Sequence, residues 1–101
     1  MKNAPLPDVI AERELEFVPD VGSPEKVLVR LGALARDPDG TWWCPYSIEG
    51  ASFHRQFRIA GEDSMQALLL TQKTLVVELD ALARNHHGSF TWFGEPDLGL
   101  A

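Results

Sequence analysis

Four residues of this sequence have side chains that commonly bind transition metals: Cys44, His54, His86 and His87. Structural zinc sites use four ligands, usually arranged in closely spaced pairs. The chain has a single cysteine. Adjacent histidines on a helix point about 100° apart, so they rarely share a metal ion. The pattern therefore predicts solvated histidines near a helix end, and no metal site.

Cys44 is also a candidate nucleophile. A catalytic thiol needs a nearby base and surroundings that stabilise the thiolate. Cys44 stands between Trp43 and Pro45, and it alternates with Tyr46 and Ile48. This spacing is typical of a small buried residue on the core face of a strand. We interpret Cys44 as part of the core.

Neither the remaining polar pairs nor the glycines form a catalytic or cofactor-binding motif. Asp63 and Ser64 have no identifiable third partner, and Asp63 is explained as a helix cap. The glycines match neither the P-loop pattern nor the dinucleotide-binding pattern. We therefore predict no catalytic residue and no cofactor, and we do not expect an enzyme.

Alternating residues in the predicted strands define two sheet faces. The face assigned to the core contains Val27, Val29, Leu31, Trp42, Cys44, Tyr46, Phe53, Phe57 and Ile59. The opposite face contains Leu28 and Ser47 together with the five candidate binding residues, Arg30, Trp43, His54, Gln56 and Arg58. Because Trp and Arg are enriched at interaction hot spots, this second face is a candidate contact surface.

Two other interpretations of this surface remain open. Trp43 is covered in one of them, either by residues 89–101 or by the N-terminal segment. In the other, the face binds nucleic acid or a small ligand, as sheet-face RNA readers stack bases on aromatic side chains. Those readers carry several aromatic residues and a basic balance, whereas this chain has a net charge of -6. Nucleic acid is therefore not the expected partner, and a protein partner or self-association is expected.

Four segments show the period-2 alternation of half-buried strands: residues 12–18, 26–31, 41–48 and 53–59. Turn-forming residues separate them, most clearly in Asp37-Pro-Asp-Gly40. Pro45 cannot donate to a sheet ladder, which predicts a free edge or a bulge there. Arg55 interrupts the apolar alternation, which predicts a bulge or a position beyond the helix's cover.

A long amphipathic helix follows, over residues 63–85. Asp63 and Gln66 have the spacing of a capping box at its start. The apolar face is predicted from the i, i+3, i+4 rhythm of Met65, Leu68, Leu69, Gln72, Leu75, Val76, Leu79, Leu82 and Ala83. Gly88 is expected to take the left-handed conformation after the helix. Residues 89–93 are predicted to form a short extra strand or an aromatic plug.

These elements predict an α+β fold, an antiparallel meander of about four strands with one long C-terminal helix packed on one face. At 101 residues and 11.2 kDa the chain is interpreted as a single domain, with residues 1–10 and 94–101 irregular. The acidic balance disfavours binding to nucleic acid or to anionic membranes. We see no signal-peptide pattern and no apolar run of membrane-spanning length, so the expected location is the cytoplasm.

Three segments resemble a family of small uncharacterised bacterial proteins, a domain of unknown function. They are Trp-Cys-Pro-Tyr-Ser-Ile-Glu-Gly at residues 43–50, Gly-Glu-Asp-Ser-Met-Gln-Ala-Leu-Leu-Leu at 61–70, and Phe-Thr-Trp-Phe-Gly at 90–94 with Asp-Leu-Gly at 97–99. The resemblance implies a bacterial, cytoplasmic, stand-alone domain. It implies no activity and no catalytic residue.

Two hypotheses of function follow. The first is a non-enzymatic interaction module, either a homodimer or an immunity-type protein that binds a basic partner. The second is a small-ligand or anion-binding domain, or a minor enzyme, with a site where the helix start meets two arginines. Its residues are Glu62, Asp63, Ser64, Arg55 and Arg58, because backbone N–H groups and nearby cations can hold an anion.

Overall fold

A computed structural model describes Leu6 and residues 8–100 of the chain. Six strands and one helix follow one another as β1 (Val9–Pro19), β2 (Glu25–Gly32), β3 (Ala35–Arg36), β4 (Trp42–Gly50), β5 (His54–Gly61), α1 (Ser64–Asn85) and β6 (Gly88–Thr91). The strands form one antiparallel sheet with α1 packed on it, which confirms the predicted α+β fold. The short strand after the helix is also confirmed. β1 begins at Val9, within the segment predicted to be irregular.

The strands are ordered β6-β1-β2-β4-β5 across the sheet, and β3 also pairs with β4. β5 pairs along one side of β4 over its whole length, so β2 and β3 share the other side. β2 reaches Tyr46 and β3 begins opposite Trp43, which leaves Pro45 between them. β2 and β3 thus leave a gap beside Pro45, which has no backbone N–H. No hydrogen bond between strands is therefore lost at this position.

The helix start is built as the sequence predicts. Asp63 adopts an extended conformation, and its carboxylate accepts a hydrogen bond of 2.7 Å from the backbone N–H of Gln66. The Gln66 side chain in turn accepts a hydrogen bond of 2.6 Å from the N–H of Glu62. These bonds satisfy donors that have no partner within the helix.

The prediction that Gly88 forms the left-handed cap is wrong. His86 closes the helix, and His87 has the positive φ of 54°. Gly88 instead begins β6, where a Cβ would lie 2.5 Å from both the Phe17 ring and the Val18 carbonyl oxygen. A glycine is therefore required at position 88 because β6 approaches β1 closely, and not because the backbone turns there.

The core lies between α1 and one face of the sheet. The buried helix residues are Ala67, Thr71, Leu75, Leu79 and Leu82. Met65 and Leu69 were expected on this face, yet they are 61% and 48% exposed. Apolar residues occur around more than half of the helix circumference. The spacing of apolar residues in the sequence therefore does not determine which of them are buried, and packing against the sheet does.

Phe57 was also expected to be buried, yet its side chain is 53% exposed. It lies opposite Tyr46 in the β4–β5 ladder and therefore points to the helix side of the sheet. Because β5 is an outer strand, α1 covers this position incompletely. Arg55 points the same way without a bulge, since it stays in register opposite Ile48.

The segment after β6 folds back on the helix side of β1. Arg13 donates to the carbonyl oxygen of Leu98 at 2.9 Å and stacks 3.8 Å from the centre of the Trp92 ring. Gln72 of α1 donates to the Leu100 carbonyl oxygen at 2.6 Å. Trp92, Leu98 and Leu100 therefore extend the core side of the molecule. No helix within the described part of the chain is long and apolar enough to cross a membrane.

Candidate functional site

The sheet surface opposite α1, here called the open face, brings the predicted binding residues together. Directly paired residues of an antiparallel ladder point to the same face. The register aligns Arg30 with Ser47 and Gln56, and it aligns His54 with Glu49. The open face consists of Glu12, Glu14, Glu16, Lys26, Leu28, Arg30, Trp43, Pro45, Ser47, Glu49, His54, Gln56, Arg58 and Ala60. All five candidate residues therefore share one surface.

Trp43 is held against this surface by two neighbours. The Arg58 guanidinium lies 3.7 Å from the centre of the Trp43 ring, a cation–π contact. The indole Nε1 donates a hydrogen bond of 2.7 Å to the carboxylate of Asp37. Asp37 is fixed by the turn before β4, where its carbonyl oxygen accepts from Gly40. Trp43 is thus half-buried, with a defined orientation on the sheet.

The tail does not cover Trp43. Trp92 and residues 98–100 pack on the helix side of the sheet through Arg13 and Gln72, and Phe93 lies beside the glutamates of β1, two strands away from Trp43. The other predicted cover was the N-terminal segment, of which residues 1–5 and 7 lie outside the described residues. Within the described part, Trp43 is shielded by Arg58 and the turn at Asp37.

Two further candidate residues contact carboxylates on the open face. Arg30 contacts Glu12 at 2.6 Å, and His54 contacts Glu49 at 2.7 Å. Exposed pairs of this kind contribute about 0–1 kcal/mol to stability. Their structural effect is to hold long side chains in one arrangement, so the face presents ordered polar groups.

Sequence reasoning missed the acidic side of this surface. Glu12, Glu14 and Glu16 alternate along β1, and all three are exposed. With Lys26 and Phe93 they line a shallow groove, and the Phe93 side chain is 89% exposed. The Glu-x-Glu-x-Glu spacing was visible in the sequence. What was missing was the pairing of β1 with β2, which places the row beside Arg30 and Leu28.

The site proposed at the helix start is not assembled. Arg58 lies on the open face, whereas Arg55 points to the helix side and contacts Glu78 at 2.6 Å. A side chain also occupies one of the helix-start donors, since Asp63 accepts from Gln66 N–H. The two arginines therefore do not converge there, because strand residues an odd number of positions apart point to opposite faces.

The predicted metal ligands are also separated. Cys44 is buried on the helix side of β4, His54 lies on the open face, and His86 and His87 follow the helix end. Among the described residues, no group of three or more His, Cys, Asp or Glu side chains is placed to hold a metal ion.

A protein-family model described as a domain of unknown function, DUF6968, matches residues 11–101. The chain belongs to this family. The match includes the open face and the helix, so both are parts of the family domain. No curated protein and no solved structure gives a significant match. The family description assigns no activity and no site residue.

A second polar cluster lies on the helix side, near the outer strand. Glu78 of α1 accepts hydrogen bonds from the Tyr46 hydroxyl and from Arg55, the latter at 2.9 Å. Burial raises the pKa of the Tyr46 hydroxyl, and the neighbouring Glu78 carboxylate raises it further. The positive charge of Arg55 acts in the opposite direction. The cluster joins β4, β5 and α1, and its polar atoms are used by one another.

The titration of Tyr46 tests this arrangement, because it is the single tyrosine of the chain. An ordinary tyrosine ionises near pH 10, so a raised pKa in the folded state protects stability up to about that pH. Above it, ionisation in the unfolded state progressively lowers the free energy of unfolding. We expect ultraviolet titration to show tyrosinate only well above this value, accompanied by unfolding.

The variant Glu78→Gln should shift the Tyr46 titration back towards its ordinary value, because the carboxylate charge is removed. Arg55→Ala should shift it further upward. A folded protein in which Tyr46 ionises with an unshifted pKa would contradict the cluster.

Proposed function

We propose that this domain is a non-enzymatic interaction module that binds a protein partner through the open face. The observation that carries the proposal is the Trp43–Arg58 stack on a sheet face that the described tail leaves uncovered. Trp and Arg are the residue types whose truncation most often costs binding energy at interfaces. An antiparallel sheet exposed on one side ordinarily presents polar side chains there. The large aromatic side chain of Trp43 on the open face therefore suggests that a partner protein contacts it.

The partner surface is expected to be basic. The row of Glu12, Glu14 and Glu16 lies along the groove beside Phe93, and the whole chain has a net charge of -6. Complementary charge speeds association and selects among partners. The exposed Phe93 ring adds an apolar contact next to the carboxylates. These features support a basic protein segment in preference to nucleic acid, whose phosphates the carboxylates would repel.

Binding is favoured over catalysis by how the polar groups are used. Arg30 and His54 are paired with Glu12 and Glu49, and the Trp43 indole is paired with Asp37. Such pairs order the surface before a partner arrives, which lowers the entropic cost of association. We further propose, from the resemblance of the sequence to a bacterial family, that this binding occurs in a bacterial cytoplasm.

The experiment compares captured proteins on immobilised wild-type domain and on the Trp43→Ala variant. We expect a basic partner that binds wild type and binds the variant about 30-fold more weakly, since a hot-spot Trp contributes about 2 kcal/mol. Leu69→Ala is the matched control, because Leu69 is an exposed apolar residue on α1. Calorimetry with the purified partner gives the affinities.

The acidic row has its own variant. Glu14→Lys should slow association with the same partner, and the slowing should diminish as salt concentration rises. If Trp43→Ala captures the same proteins with unchanged affinity, the open face is not the binding surface and the proposal is wrong.

A further inference from the structure

The outer edge of β5 has backbone groups without a strand partner among the described residues. β5 pairs with β4 alone. Gly50 and Phe53 exchange two backbone hydrogen bonds at the start of this ladder, at 2.9 and 3.4 Å. Hydrogen-bonded pairs alternate along an antiparallel ladder. The backbone groups that point away from β4 are therefore those of His54, Gln56, Arg58 and Ala60.

An apolar strip runs along the helix side of this edge. Phe57 of β5 is 53% exposed, and Leu70 and Val77 of α1 are 38% and 69% exposed. Leu70 and Val77 are seven residues apart, so they lie on one side of the helix. The Arg55–Glu78 contact puts the adjoining helix flank next to β5. The free backbone edge and the apolar strip thus form one continuous surface.

We propose that a second copy of the chain binds this edge, with the two β5 strands paired antiparallel about a two-fold axis. The dimer contact uses the backbone edge of β5 and the helix side of the sheet, whereas the proposed partner contacts side chains of the open face, so the inference goes beyond the proposed partner binding. A two-fold interface uses the same patch on both copies and must be complementary to itself. β5 meets this condition when the axis passes at Phe57.

In this register the two Phe57 side chains lie directly opposite each other, and Gln56 lies opposite Arg58 of the second copy. His54 then faces Ala60. All outward-pointing backbone groups of His54, Gln56, Arg58 and Ala60 find partners. Cross-strand aromatic pairs stabilise a sheet, and no like charges oppose each other.

The neighbouring registers are less favourable. Moving the axis to Arg58 places two arginines directly opposite each other. Like charges in directly opposed positions destabilise strand pairing. Moving the axis to Gln56 leaves Ala60 opposite Ser52, which lies outside β5. The register centred on Phe57 pairs all four outward-pointing residues of β5 with one another.

Charged residues on an outer strand often prevent edge-to-edge association. Here the arginine side chains are engaged within their own chain. Arg55 contacts Glu78, and Arg58 stacks on Trp43. Both guanidinium groups are thereby drawn towards α1 or β4, away from the outer edge. Eight residues of β5 span about 27 Å, and such an edge with its flank matches the small interfaces below about 1,200 Å². The dimer should therefore exchange with monomer as concentration changes.

Sedimentation equilibrium of the wild-type chain, from micromolar to millimolar concentration, should show a monomer–dimer equilibrium. Phe57→Asp should weaken the dimer at least about tenfold, because two carboxylates would meet at the axis. The substituted side chain is exposed, so circular dichroism should show a folded monomer. Leu69→Asp is the matched control, being 48% exposed on another side of α1. It should leave dimerisation unchanged.

Amide hydrogen exchange locates the contact. In the dimer, the amides of Gln56 and Arg58 should exchange more slowly as concentration rises, whereas those of Arg55 and Phe57 are protected at every concentration. Gln56→Pro removes an outward N–H that β4 does not use, and it should also abolish the dimer.

Three results would overturn the proposal. One is a protein that stays monomeric at every concentration. A chain that does not self-associate and whose β5 edge instead pairs with a strand of a different protein counts as the same result. The second is equal weakening by Phe57→Asp and Leu69→Asp. The third is a dimer lost in Glu14→Lys, which would place self-association on the open face, because Glu14 lies on β1, away from β5.

Discussion

Replacing Phe17 with Ala is expected to lower the free energy of unfolding by about 3–5 kcal/mol. Phe17 is 3% exposed, and its ring centre lies 4.9 Å from that of Phe53 and 5.1 Å from that of Phe90. These rings come from β1, the β4–β5 turn and β6. Removal of the central ring leaves a cavity that rigid strands cannot fill, so both the burial energy and the packing contacts are lost.

Urea unfolding followed by circular dichroism measures this effect. Phe93→Ala is the control, because that ring is 89% exposed and its loss should change stability by less than about 0.5 kcal/mol. The slope of the transition should stay near the wild-type value, since both variants expose a similar surface on unfolding. Equal losses for Phe17 and Phe93 would show that the aromatic cluster does not stabilise the fold.

Replacing Gly88 with Ala is expected to cost about 3 kcal/mol, at the upper end of overpacking effects. The added Cβ would stand 2.5 Å from the Phe17 ring and 2.5 Å from the Val18 carbonyl oxygen. The carbonyl cannot retreat without moving β1, because Val18 is aligned with Ser89 and Pro19 with Gly88. The clash therefore has to separate β6 from β1.

Thermal unfolding and hydrogen exchange test this separation. The amides of β6 should lose protection more strongly than those of β2 and β4. Ser89→Ala is the control at the next position, where a Cβ is already present and the side chain is exposed. If the Gly88→Ala variant is as stable as the Ser89→Ala variant, close approach of β6 to β1 does not explain the glycine at position 88.

Local patterns were sufficient for much of the fold. Strand alternation predicted the burial of Val27, Val29 and Tyr46, since period-2 side-chain direction follows from backbone geometry alone. The helix start was predicted because Asp63 and Gln66 interact within one turn. Each of these predictions depended on contacts between near neighbours in the sequence.

What depended on distant partners could not be predicted in the same way. The pairing of β6 with β1 and the two-residue strand β3 leave no periodic signal. The helix was assigned a face containing Met65 and Leu69, whereas the sheet selects one containing Ala67 and Thr71. The rotation of an apolar helix is decided by the surface it packs against, and that surface is assembled from separate strands.

In the candidate site, too, local patterns predicted some features, whereas others depended on distant contacts. Alternation placed Arg30, Trp43 and Gln56 on one face without knowledge of their neighbours. The contact of Trp43 with Asp37 and the glutamate row of β1 required the turn geometry and the strand order. The Tyr46–Glu78 bond joins β4 to the helix, and no spacing within either segment indicates it.

The pairing of β6 with β1 has a consequence for the order in which the chain gains structure. Glu16 pairs with Thr91 and Phe17 with Phe90, whereas the other ladders join segments close in sequence. Closing the longest loop carries the largest entropic cost, which must be met before its contacts form. Phe17 and Gly88 stand on the two sides of this closure. The tight packing of Phe17 and Gly88 offsets the entropic cost of pairing β6 with β1.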